Sequence, residues 1–156
     1  MISDLRFKKR EQAHLSGFTL TEILVVISLA ALISTFALGM SLDAFRSYNF
    51  RSEQTLLLSL LQKARSQAMS NIDQLPHGVH VSGNQYTLYE GSAWKSRDVL
   101  KDADFPVGKG VAPSGVTDML FTQLSGKPVS AGDIVLSDGG HASVIFSINS
   151  QGRINY

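Results

Sequence analysis

Residues 15–42 read LSGFTLTEILVVISLAALISTFALGMSL, a polar and basic approach that gives way to a long apolar run. No charged residue occurs from Ile23 to Leu42. About 20 residues at a rise of about 1.5 Å each match the roughly 30 Å hydrocarbon core of a bilayer, so the run predicts a transmembrane helix. The one acid touching it is Glu22. A carboxylate inside a membrane helix costs about 3 kcal/mol at the bilayer centre and less near the interface, so Glu22 needs a partner or a task.

Working outward, Arg6, Lys8, Lys9 and Arg10 against Asp4 and Glu11 give the segment before the run a net charge of +2. With +1 for the whole chain, the part after Gly17 carries −1. Basic residues before the span and none within it predict a cytoplasmic N-terminus and an exported C-terminal portion. A secretory signal peptide is the plainer reading, but its apolar core is about 7 to 15 residues long and ends in a small-residue cleavage site. This run is longer and lacks a clean A-x-A. A plain signal anchor fits the basic flank and the apolar helix, yet leaves Glu22 and the Gly17-Phe18 junction unexplained. With no cysteine, an exported domain of about 115 residues must hold together without disulfides.

Beyond Asp43 the spacing stays helical but becomes one-sided. Leu57, Leu61, Ala64 and Ala68 share a face with Leu56 and Leu60 beside them, while Arg51, Glu53, Gln62, Lys63 and Arg65 read as lying elsewhere. Asn71, Asp73, Pro76 and Gly78 then supply stop signals, so the helix should end near Asn71. From His77 the period changes to two. In GVHVSGNQYTLYE a Gly83-Asn84 loop pairs Val81 with Tyr86 and Val79 with Leu88. Residues 94–109 read as short strands and loops, broken by Pro106 and Gly108, with Gly110 and Pro113 beyond; Met119 to Phe121 could form a strand. Asp133–Leu136 and Ala142–Ile148 flank Asp138-Gly139, a strong hairpin signal. A three-residue Ser150-Gln151-Gly152 loop then sets Ile148 opposite Ile154 and Phe146 opposite Tyr156.

The order of basic leader, Gly17, Phe18, Glu22 and uninterrupted apolar helix resembles the N-terminal signature of type IV pilins and type II secretion pseudopilins. The resemblance implies that prepilin peptidase cuts between Gly17 and Phe18 and that Phe18 becomes the N-methylated first residue. Glu22 is then the fifth residue of the mature chain and serves subunit assembly. The leader of 17 residues is longer than many type IV pilins carry, and Gly39 stands where many major pilins have a helix-bending proline. The segment LLQKARSQAMSN before a hairpin and the ending FSINSQGRINY are similar to the minor pseudopilin H class and related minor pilins. Some of those bind DNA through glycine, arginine, any residue, arginine; here Gly152-Arg153-Ile154-Asn155 lacks the second arginine. DNA affinity rests on several phosphate contacts, so nucleic acid is not an expected partner.

The expectation is an α+β fold: a long N-terminal helix, transmembrane in its first half, packed on an antiparallel β-sheet domain. Residues 1–17 form the leader, 18–42 the transmembrane half, 43–72 the amphipathic half and 77–156 the β domain. The function implied is that of a minor subunit of a type II secretion pseudopilus. Alternatives are a minor type IV pilus subunit or a signal-anchored periplasmic binding module that does not polymerise. Expected partners are prepilin peptidase, other pilin or pseudopilin subunits through the N-terminal helix, and the inner membrane. No catalytic residue, cofactor or metal is expected. His77 and His80 point to opposite faces of a strand. Asp98, Asp102 and Asp104 lack calcium-loop spacing, although some major pseudopilins bind calcium in a C-terminal loop. Gly108-Lys109-Gly110 is no phosphate loop, and Ser137, Asp138 and His141 sharing one turn is not a triad.

Overall fold

A computed structural model describes residues 17–140 and 142–156, and side chains throughout these except for residues 36–43. Most of the leader, residues 1–16, and His141 lie outside the described residues. Helix α1 runs Leu20–Met69, and the chain divides into two units, Met1–Ser41 and Leu42–Tyr156. In the first unit every described side chain from Gly17 to Thr35 is exposed. Leu24, Val26, Ile27, Leu29, Leu32 and Ile33 are among them, so apolar side chains face outward on every side of this stretch. Its hydroxyls are satisfied internally: Ser28 donates to Val25 O at 2.9 Å, Ser34 to Ala30 O at 2.8 Å and Thr35 to Leu32 O at 2.7 Å. Among the described residues no helix is long and apolar enough to cross a membrane. The expected span, 18–42, includes 36–42, Gly39 among them, whose side chains lie outside the described residues.

In the second unit α1 buries Leu57, Leu61, Ala64 and Ala68 completely, with Phe50 and Leu60 alongside. Glu53 departs from the expected polar face. It lies one turn before Leu57 on the buried stripe and is 6% exposed. The helix stops because Asn71 takes a left-handed conformation (φ 54), a geometry asparagine tolerates at helix ends. Ala68 O accepts from Asn71 N at 3.2 Å and from Leu124 N at 2.9 Å. Helical structure proper ends at Met69, close to the expected end near Asn71, and residues 72–74 form a separate 3₁₀ turn.

Among the described residues eight strands follow: β1 His77–Val81, β2 Gln85–Glu90, β3 Ala103–Pro106, β4 Ala112–Gly115, β5 Asp118–Phe121, β6 Gly132–Ser137, β7 Ser143–Ile148 and β8 Ile154–Asn155. They form two antiparallel sheets, ordered β3-β2-β1-β5 and β4-β6-β7-β8. The β1–β2 register matches the expectation, with Val81 opposite Tyr86 and Val79 opposite Leu88. So does the last hairpin, with Ile148 opposite Ile154, Gly152 left-handed (φ 77) and the rings of Phe146 and Tyr156 stacked at 5.7 Å. The β6–β7 connection is wider than a two-residue turn. Ser137 pairs with Ser143, and Asp138 N donates to Ala142 O at 3.1 Å, so residues 138–142 form the loop. Pro113 does not break structure; it sits in β4, which pairs only with β6. A sheet edge is where proline's missing N–H is tolerated.

The core lies between the helix and both sheets. Val79, Val81, Tyr86, Leu88, Met119 and Phe121 come from the first sheet, and Ile134, Leu136, Phe146 and Ile148 from the second. Gly78 falls inside β1 rather than ending the helix. A Cβ there would come within 2.7 Å of the Tyr89 ring, so the glycine makes room for a phenol on the outer face of the first sheet.

Candidate assembly site

The Gly17-Phe18 junction is open. Gly17 has no atom near a would-be Cβ, and Phe18 is 79% exposed. Thr19 starts the helix: its Oγ1 accepts from Glu22 N at 3.2 Å and its carbonyl accepts from Ile23 N at 3.2 Å. That is the backbone half of a capping box, in which a threonine N-cap satisfies the amide of the third helical residue. The T-x-x-E spacing of Thr19 and Glu22 is the sequence signal for this cap. Glu22 is exposed in the first turn, where a carboxylate is favoured by the helix dipole. Gly17, Phe18 and Glu22 therefore sit together on one exposed helix start.

The chemistry-bearing residues of the second unit are occupied locally. His77 Nδ1 donates to Leu75 O at 3.0 Å and its Nε2 lies 3.8 Å from Glu90, which Lys101 also pairs with. His80 stacks on Trp94 at 3.8 Å, and the Arg97 guanidinium lies 3.4 Å from the Trp94 ring centre. Of the acids weighed for calcium, Asp98 caps a 3₁₀ turn by accepting from Leu100 N. Asp102 pairs with Arg97 at 2.7 Å, and Asp104 accepts from Thr87 at 2.6 Å. No group of three potential metal ligands occurs among the described residues. The Ser137 hydroxyl faces Ala112 O at 3.4 Å, and its suggested neighbour His141 is outside the described residues.

Burial shapes the titration of the remaining groups. His80 is held below its ordinary value of 6.5, first by burial and then by Arg97, against the pull of Asp118. The separation of 3.9 Å from Asp118 is too long for a hydrogen bond, so burial under Trp94 wins. Burial, and then its hydrogen bond to Asp118 at 2.7 Å, pushes the Tyr89 phenol up. Tyr86 is raised by burial and by the Glu53 carboxylate.

No protein-family model and no curated protein matches the chain. Among solved structures, the minor pseudopilin EpsH from the Type 2 Secretion System of Vibrio cholerae is similar at a TM-score of 0.50 and 13% identity. The likeness covers 67% of this chain and 91% of that one. At that identity it speaks for the fold, which is α+β and pilin-like.

Proposed function

We propose that this chain is a non-enzymatic minor subunit of a pilus-like fibre, of the type II secretion pseudopilus kind. The observation that carries the reading is a pilin-like fold together with an exposed, largely apolar helix start that bears a single acid, Glu22. Prepilin peptidase cuts the open Gly17-Phe18 bond on the cytoplasmic side of the inner membrane, and Phe18 is N-methylated. Residues 18–42 anchor the precursor as a single span, and the domain from Asp43 onward lies on the periplasmic side.

Cleavage leaves an amine at the start of α1, where the helix dipole adds to its positive charge and the first amides lack partners. Glu22 of an incoming subunit meets the Phe18 amine of its neighbour within the membrane, where charges are weakly screened. The exposed apolar side chains from Leu20 to Ile33 pack against helices of other subunits or against lipid.

The test compares Glu22→Ala with Glu22→Gln in the native host. Both leave Gly17 and Phe18 in place, and Gln can still occupy the third position of the Thr19 cap. Both variants should be processed and membrane-bound yet absent from sheared or cross-linked fibres. Normal incorporation of Glu22→Gln would remove the charge from assembly, and a wild-type chain that never cross-links to another subunit would mark a non-polymerising anchored module.

A further inference from the structure

We infer that the second unit carries a pocket for a single carboxylate side chain, fitted to a glutamate of an acidic peptide segment. The pocket lies between the last turns of α1 and the β7–β8 turn, with a volume of about 430 Å³. Arg65 and Arg153 line it together with Gln62, Ser66 and Ser70, and no acid is among its lining residues. Met69 and Ile154 complete the wall. This goes beyond fibre membership and stands whether or not α1 assembles.

The Arg65 guanidinium is fixed before any ligand arrives. Its Nε donates to Gly126 O and its Nη2 to Gln151 O, each at 3.2 Å. Both turns approach closely enough to require glycine. Gly126 and Gly152 have φ of 60 and 77, and a Cβ on Gly152 would meet Gly126 O and come within 2.9 Å of Arg65 Nε. Arg153 is held from the other side. Asn149 Oδ1 accepts from Gln151 N at 3.0 Å and from Arg153 N at 2.9 Å, while Asn149 N donates to Arg153 O at 3.1 Å. The Arg153 side chain makes no hydrogen bond or ion pair among the described residues.

With Arg65 Nε and Nη2 engaged by carbonyls, its Nη1 and the whole guanidinium of Arg153 are left to donate charge-assisted bonds to a carboxylate. The C-terminal end of α1 opposes a bound anion, but its carbonyls at Ser66 and Ala68 are already paired with Ser70 N, Asn71 N and Leu124 N. The apolar wall of Met69 and Ile154 suits the methylene stem of glutamate. A nucleic-acid backbone has no such stem and draws its affinity from many phosphate contacts, which one concave site with two arginines does not supply.

The test follows the Arg Nε–Hε resonances of the full-length chain in detergent micelles at fixed ionic strength. The probes are acetyl-Gly-Glu-Gly-amide, its Gln counterpart, inorganic phosphate and a thymidine oligonucleotide. The Glu peptide should shift Arg65 and Arg153 saturably where the Gln peptide does not. Arg153→Gln should weaken that binding by about tenfold, the scale of one charge-assisted bond, with the Arg65 resonance of the free protein unmoved. An equal response to the Gln peptide, an unaltered response in Arg153→Gln, or saturation by phosphate or the oligonucleotide at lower concentration would overturn the inference.

Discussion

At the scale of single residues, the most informative side chain outside the helix start is His80. Trp94 stacks on it, Arg97 lies over the Trp94 ring, Tyr89 from β2 meets that ring edge-on, and Asp118 from β5 is 3.9 Å from the imidazole. Because its folded pKa lies below 6.5, the unfolded chain binds the proton more readily. Stability is therefore full above the unfolded value and declines as the pH falls through 6.5 toward the lower folded value. Thermal unfolding followed by Trp94, the single tryptophan, should drop between about pH 7.5 and about pH 5. In His80→Gln that drop should be smaller. An identical pH dependence in the variant would mean that other groups dominate acid loss. None of this stack is legible in the sequence, because β1 and the 94–97 turn meet only through tertiary packing. Glu22 and Phe18, by contrast, are legible as a local pattern, while the Thr19 cap is easily overlooked when Glu22 is weighed only for its charge.

At the scale of elements, the two stretches of α1 obey opposite rules. Leu61 is fully buried against both sheets, whereas Leu24 is exposed in an all-apolar stretch. Leu61→Ala should destabilise the β-containing unit by about 2–5 kcal/mol, since a Leu-to-Ala cavity in a core costs that much. Leu24→Ala should leave the Trp94-detected unfolding midpoint where it is. A large loss from Leu24→Ala would place that side chain in a folded interface. The helix and the two outer hairpins follow from residue periods of 3.6 and two, and from Gly83-Asn84 and Gly152 as turn formers. Sequence does not reveal that β1 pairs with β5 across nearly forty residues, nor that β4 and β6 open a second sheet. Such pairings depend on distant edges finding each other, which no local period records. Pro113 hides β4 for the same reason: its tolerance depends on being at an edge. Glu53 shows the converse error, a charged residue whose spacing from Leu57 outweighs its polarity.

For the molecule as a whole, a domain of helix and two sheets with no net charge follows an apolar helix start that the domain does not need for its own core. The helix start makes sense if the chain is delivered to a membrane, trimmed and then packed among other subunits. The mass of the N-terminal peptide from protein isolated from its own host tests this most directly. The expected peptide begins at N-methylated Phe18. An intact Met1 start, in cells with a working prepilin peptidase, would contradict it and leave a plain membrane-anchored domain.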